Sequence, residues 1–190
     1  MIPRNTTKPS RADLLAAKDK TVRDVITLDL RVLFCGINPG LYSGATGHHF
    51  ARPGNRFWPT LYQSGFTKRL LAPAEERELL VSGYGITNLV SRATATADEL
   101  APDELVTGRR RLEAKLKRYQ PRVVALLGIG AYRTAFAQRA VTLGQQPERL
   151  ANAVVWVLPN PSGLNAHYQL VDLAQHFRAL RQAVEPEHDI

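Results

Sequence analysis

Four short runs of apolar, often β-branched residues alternate along this chain with segments of helical periodicity. The runs cover residues 31–36, 85–90, 122–128 and 153–158, and each ends at turn-forming residues. Because they are apolar throughout rather than at every second residue, we expect strands buried on both faces, which is typical of parallel sheets. Strands that alternate with helices predict a mostly parallel sheet covered on both sides. The expected fold class is therefore α/β, a three-layer α/β/α sandwich with a short central sheet.

Helical patterns fill the intervals between these runs, and residues that cap or stop helices bound each of them. We expect helices that begin near residues 55, 73, 105, 130 and 170. No regular element is expected between the end of the first run and Asn55, where glycine and proline are frequent. A loop of this length, able to turn tightly, is more often a ligand-binding segment than a plain connection.

The charge balance of the chain points to a polyanionic partner. Lys and Arg number 25 against 17 for Asp and Glu, which gives a formal net charge of +8. Nucleic acid is the leading candidate for such a basic protein. The single cysteine, Cys35, excludes an internal disulfide and any zinc or iron–sulfur site with four cysteine ligands. We expect no cofactor and no metal.

The length of 190 residues suits one globular domain. We expect residues 28–190 to form it and residues 1–27 to be a basic N-terminal extension. That extension could be a solvated, partly frayed segment or an arm that contacts DNA. The chain shows neither a signal peptide nor an apolar stretch long enough to cross a membrane. It is expected to be a soluble intracellular protein without membrane contact, cytoplasmic and associated with the nucleoid if bacterial.

Two loops carry the residues that are best suited to bind a ligand or to take part in a reaction. One follows the first strand at residues 36–40, and the other follows the last strand at residues 159–167. Each contains an Asn-Pro pair, which alone is an ordinary turn signal. Ligands of open α/β sheets bind at the carboxyl ends of the strands, where both loops are expected. Together the loops predict a pocket between Asn38 and Asn160.

The residues of these loops resemble two motifs of the mismatch-specific uracil-DNA and thymine-DNA glycosylases. The first motif is GINPG at 36–40, followed by Gly47, Phe50, Pro53 and NRFW at 55–58, and the second is NPSGL at 160–164. The similarity runs from about residue 31 to the final helix. It implies hydrolysis of the N-glycosidic bond of a uracil rotated out of double-stranded DNA, mainly at G·U mismatches, as the start of base excision repair.

The resemblance also implies roles for individual residues. Asn38 would position the attacking water, and because its amide has no titratable proton it cannot be a strong general base. Phe50 would stack on the extruded base, with backbone N–H groups near Ile37 and Phe50 holding the base oxygens. The residues expected to bind the base are Ile37, Gly40, Ser43, Phe50, Asn88 and Asn160.

Leu164 matches an apolar wedge that enters the space vacated in the duplex. The alternative is that Leu164 is the first core residue of the last helix. Gly163 would face the guanine left behind. The residues expected to contact DNA are Arg92, Gly163, Leu164, Asn165 and His167.

Neither motif contains a carboxylate of the kind that ordinary sugar hydrolases need. We therefore expect a dissociative reaction with a cationic sugar and a base that leaves as an anion. Neither motif contains a lysine that could form a Schiff base, so the enzyme is expected to be monofunctional, and to act as a monomer. Two alternatives remain: a uracil-DNA glycosylase of broader specificity, and a module that binds mismatched or abasic DNA without turnover.

The remaining candidates are expected to be structural. Phe57 and Trp58 have helical spacing with Leu61 and are expected in the core, as is Cys35 within its strand. His48 and His49 flank the first motif. Exposed loop positions are the commoner environment for such histidines, and the alternative is a role in the pocket or in phosphate contact.

Overall fold

The computed structural model describes residues 8–185. Residues 1–7 of the predicted N-terminal extension lie outside the described residues, as do residues 186–190. The central sheet has the strand order β2-β1-β3-β5-β4. Its strands are β1 (Val32–Gly36), β2 (Tyr84–Asn88), β3 (Val123–Leu127), β4 (Gly144–Leu150) and β5 (Ala153–Leu158).

Helices cover both faces of this sheet. The α-helices are α1 (Arg11–Leu15), α2 (Leu41–Thr46), α3 (Phe57–Gln63), α4 (Pro102–Tyr119), α5 (Ile129–Phe136) and α6 (Leu170–Val184). Two 3₁₀ segments, Pro73–Ser82 and Ala97–Glu99, complete the regular structure. The predicted α/β fold with a mostly parallel sheet is confirmed. No helix within residues 8–185 combines the length and the apolarity needed to cross a bilayer.

The four predicted strands are confirmed, and all four pair in parallel. The strand missed from the sequence is β4, which pairs antiparallel with β5 at the edge of the sheet. Its sequence, GQQPERL, is polar and contains Pro147 at a register irregularity between Gln145 and Arg149. Because an edge strand pairs on one side only, it tolerates proline and needs no apolar run.

Two segments differ from the sequence-based expectation. The expectation of no regular element before Asn55 is wrong, because α2 forms there between Gly40 and Gly47. Six residues with an internal glycine give no readable periodicity. In addition, residues 8–27 are not frayed: Ala17 and Val25 are buried, and Val25 exchanges backbone hydrogen bonds with Ile86. This pairing covers the outer edge of β2, which would otherwise be exposed.

The core consists of two apolar layers, one on each face of the sheet. On one face Phe34 packs among the rings of Phe57 and Phe177, which come from α3 and α6. Trp58 is also buried there, so the expected core positions of Phe57 and Trp58 are confirmed. Cys35 lies in the opposite layer, where burial raises the pKa of its thiol to about 12. Between these layers the carboxyl ends of the four parallel strands lie side by side, along the edge of the sheet where those strands end.

Candidate active site

A cavity of about 380 Å³ opens at the carboxyl edge of the parallel strands. Its walls come from the loops after β1 and β5, the end of β2 and the loop at residues 94–98. Asn38 and Asn160 both line it, as the two Asn-Pro loops predict. Every residue expected to act on or bind the base is among its lining residues: Ile37, Asn38, Gly40, Ser43, Phe50, Asn88 and Asn160. A larger groove of about 1030 Å³, beside α1 and α2, contains neither Asn-Pro pair.

The amide of Asn38 is held in one orientation. Its nitrogen donates towards three acceptors, Thr94 Oγ1 at 2.7 Å, Arg92 O at 3.0 Å and Pro39 O at 3.2 Å. Two of these are carbonyl oxygens, which accept only, so the NH₂ group must face them. Within residues 8–185 no group donates to the Asn38 Oδ1 atom, which remains free to accept a hydrogen bond in the cavity.

Thr94 is a site residue that sequence reasoning missed. Its hydroxyl proton goes to Thr96 O at 2.7 Å, so the oxygen is left to accept from Asn38. Backbone pairing of Thr94 with the loop at Gly40 brings the two segments together, and the Thr94 N–H donates to Pro39 O at 3.1 Å. Thr94 lies in a polar loop without periodicity, so no signal in the chain singles it out.

Phe50 forms one wall of the cavity. Its ring stacks on Phe57 with centroids 4.0 Å apart and an angle of 24° between the planes. The absence of a side chain on Gly36 leaves room for this ring, since a Cβ there would lie 3.2 Å from Phe50 Cζ. Phe50 has φ of 52°, a left-handed conformation that is unfavourable for an aromatic residue. The strained backbone and the packed ring hold one aromatic face at the cavity.

Ser43 lies on α2 and is buried against the same cavity. Its hydroxyl oxygen accepts a hydrogen bond from Ala51 N at 3.2 Å, which fixes the chain just after Phe50. The hydroxyl proton is therefore available to a ligand. Gly40 caps the N-terminus of α2, and a Cβ added there would meet no atom within 4 Å, so the backbone is open at this point.

His49 is buried, contrary to the expectation of an exposed loop histidine. Its Nε2 lies 3.0 Å from Arg23 O and must carry the proton, because a carbonyl only accepts. The Nδ1 atom then accepts from Asn88 Nδ2 at 3.3 Å, which turns the Asn88 oxygen away from the imidazole. Burial lowers the pKa of His49, opposed by the nearby Glu76 carboxylate. A neutral histidine thus orients the Asn88 amide.

The loop after β5 presents an exposed leucine. Leu164 is 66% exposed and precedes α6 by several residues, so it is not a core residue of that helix. The Asn160 Oδ1 atom accepts from Ser162 N at 3.0 Å, and Asn165 Nδ2 donates to Asn160 O at 3.0 Å. These bonds close the loop on itself. Gly163 is exposed at its tip, beside Leu164.

A model of the Uracil DNA glycosylase superfamily matches residues 24–185, which is most of the chain. The protein belongs to this superfamily. It is therefore a DNA glycosylase, a hydrolase that acts on uracil in DNA. The match begins before residue 31, where the resemblance was expected to start, and it includes the buried Val25 that pairs with β2.

Three DNA-contact candidates of this glycosylase do not line the cavity. The Arg92 guanidinium is paired with Glu104 at 2.7 Å and Asp19 at 3.2 Å. These carboxylates raise the pKa of Arg92, and the pKa of Glu104 falls to about 2. Because its donors are engaged within the protein, a phosphate would have to compete with these carboxylates for Arg92, whose contact with DNA stays a prediction. Gly163 and His167 are exposed on the loop outside the cavity, whereas Asn165 lines it.

The charges around the cavity of the glycosylase are few. Asp98 is the one carboxylate among the lining residues of the described chain, and it is exposed at the rim. Arg52 is the one cationic lining residue in the same part of the chain, and it is exposed as well. None of the lining residues within 8–185 is a lysine. Arg52 is therefore a cationic side chain at the cavity that the motifs did not single out.

Proposed function

We propose that this protein is a monofunctional glycosylase that removes uracil paired with guanine in double-stranded DNA and leaves an abasic site. The observation that carries the proposal is the Asn38 amide, which belongs to a residue that lines the cavity. Its nitrogen donates to protein acceptors, while its oxygen receives no hydrogen bond from residues 8–185. An acceptor fixed in this way can hold a water molecule by one of its protons and aim its oxygen at the sugar.

The cavity suits a reaction that depends on the leaving group. The bond between the sugar C1′ and the base nitrogen breaks with both electrons going to the base. The water oxygen then bonds to C1′ and loses a proton, which the departed base anion takes up at that nitrogen, directly or through solvent. Asn38 cannot accept that proton fully, and the carboxylate nearest the cavity is exposed at the rim. Departure of the base as an anion, stabilised by backbone N–H groups near Ile37 and Phe50, therefore dominates catalysis.

The proposed base site is the face of Phe50 together with Ser43 and Asn88. Phe50 offers a flat surface for stacking, and the Ser43 hydroxyl can donate to a carbonyl oxygen of the base. The Asn88 oxygen, oriented by His49, can accept from the imide N–H that uracil has and cytosine lacks. Asn160 also lines the cavity. Its backbone oxygen accepts from Asn165, which closes the loop at residues 159–167 that carries Leu164, here named the wedge loop.

Preference for mismatched uracil follows from the cost of base flipping. Rotation of a base out of the duplex costs a few kcal/mol, and the cost is lowest where pairing is already weak. Leu164, exposed at the rim of the cavity, is proposed to fill the vacated space. The basic charge of the chain supports a duplex partner. The proposed active unit is a single protein molecule. A DNA substrate also supports an intracellular location, at the nucleoid in a bacterium.

The test is release of free base from matched oligonucleotides with G·U, G·T and A·U pairs and from single-stranded uracil. We expect the fastest release from G·U and a large loss in the Asn38→Ala variant. Equal rates on all uracil substrates would favour a glycosylase of broader specificity. Tight binding to abasic duplex without release from any substrate would favour a binding module, and would refute the proposal.

A further inference from the structure

The loop that carries Leu164 is held by one arginine from the other motif. Arg56 lies at the start of α3, and its guanidinium donates to backbone carbonyl oxygens of Ser162, Asn165 and Tyr168, with the Asn165 bond at 2.8 Å. The Arg56 N–H donates to Pro161 O at 3.0 Å. One residue thus bonds four positions of a loop that has no regular structure of its own.

The partners of Arg56 are unusual for a partly buried cation. Arginine in such places normally pairs with a carboxylate, but within the described chain no salt bridge includes Arg56. Its planar fork instead satisfies carbonyl groups that an irregular loop would otherwise leave unpaired. The arrangement therefore fixes the conformation of the loop rather than neutralising a charge.

The support behind Arg56 is rigid. The neighbouring Phe57 and Trp58 are buried in the core, and the Asn55 Oδ1 atom accepts from Phe57 N at 2.9 Å at the start of α3. On its other side the loop touches the turn at Gly54, since a Cβ on Gly163 would lie 2.5 Å from Gly54 O. The loop is thus seated against α3 and the turn that precedes it, with Leu164 pointing outward.

We propose that Arg56 is a positioning residue that sets the wedge loop in its DNA-binding conformation before DNA arrives. Order that already exists in the free protein need not be created on binding, so affinity for the flipped state is higher. The proposal rests on the proposed wedge role of Leu164. Arg56 belongs to the first motif and Leu164 to the second. On this proposal Arg56 links the two motifs, because it determines the position of Leu164.

The experiment is a double-mutant cycle on binding to a duplex that contains an abasic-site analogue opposite guanine. Arg56→Lys keeps the charge but cannot span three carbonyl groups. In the wild-type background we expect Leu164→Ala to weaken binding about five- to thirtyfold. In the Arg56→Lys background we expect it to weaken binding less than about twofold, because the wedge is already misplaced. Base flipping, followed by 2-aminopurine fluorescence, should fall in Arg56→Lys as it does in Leu164→Ala.

The matched control is Arg181→Lys. Arg181 Nε donates to Ser64 O at 3.0 Å, so it also bonds a backbone carbonyl, but at the opposite end of α3. In the Arg181→Lys background, Leu164→Ala should weaken binding to the abasic duplex as much as it does in the wild type. Additive effects of Arg56→Lys and Leu164→Ala would overturn the proposal, as would wild-type binding and flipping by Arg56→Lys.

Two further results separate the possible failures. If Arg56→Lys does not fold, Arg56→Gln, which keeps two N–H donors but lacks the guanidinium fork, takes its place in the same cycle; an undiminished effect of Leu164→Ala in that background would overturn the proposal. Release of uracil by the wild-type chain is measured in parallel. If the wild-type chain releases uracil normally and the cycle is additive, only the role of Arg56 is refuted. If the wild-type chain neither releases uracil nor binds the duplex, the proposed function is refuted as well.

Discussion

Truncation of Leu164 separates a DNA-binding role from a structural one. Leu164 is 66% exposed in the free protein, so about a third of the residue is already covered. Full burial of a leucine contributes about 1.5–3 kcal/mol, and the two-thirds that DNA could cover is worth about 1–2 kcal/mol. At about 1.4 kcal/mol per tenfold, Leu164→Ala should weaken binding to abasic duplex by about five- to thirtyfold.

The same substitution should have little effect on the fold. The third of the side chain that is already packed contributes below about 1 kcal/mol to the free energy of unfolding. For a domain of this size that corresponds to a fall in Tm of less than about 4 °C. Fluorescence anisotropy with labelled abasic duplex and thermal denaturation of the free protein measure the two quantities. Equal losses of binding free energy and of folding free energy would refute the proposed role of Leu164 as a wedge.

Three further predictions concern the chemistry and its support. Electron-withdrawing 5-substituents on uracil should raise the single-turnover rate, because they stabilise the departing anion; a flat series with chemistry rate-limiting would contradict a dissociative route. Thr94→Val should lower the same rate by about two- to tenfold, since it removes one net hydrogen bond of about 0.5–1.5 kcal/mol from Asn38, whose NH₂ keeps two carbonyl acceptors. Burial holds the pKa of His49 below its ordinary value, so the unfolded chain binds more protons than the folded one, and the free energy of unfolding should fall as the pH drops below about 6.5. Urea denaturation at several pH values should show this dependence in the wild type and a weaker one in His49→Gln; an unchanged dependence would assign it to another group.

The fold was largely readable because buried parallel strands leave a strong pattern. The run at residues 153–158 coincides with β5, and the stripe that begins near residue 170 coincides with α6. The missed elements share the absence of such a pattern. The edge strand β4 is polar, and α2 is too short to show a helical stripe.

Sequence by itself determined which residues meet at the cavity. Two Asn-Pro loops that follow parallel strands must lie at the same edge, so the meeting of Asn38 and Asn160 required no coordinates. The resemblance of the motifs added Phe50 and Leu164.

Only the tertiary structure decided how those side chains are held and which are free to act. The Asn38 amide is oriented by Thr94, far along the chain, and Asn88 is oriented by a histidine whose tautomer depends on a backbone carbonyl in the N-terminal segment. Arg92, which the sequence predicts as a DNA contact, forms ion pairs with two carboxylates. Hydrogen bonds and ion pairs of this kind join residues that are distant in the chain, and they depend on atomic distances that no local pattern of residue types encodes.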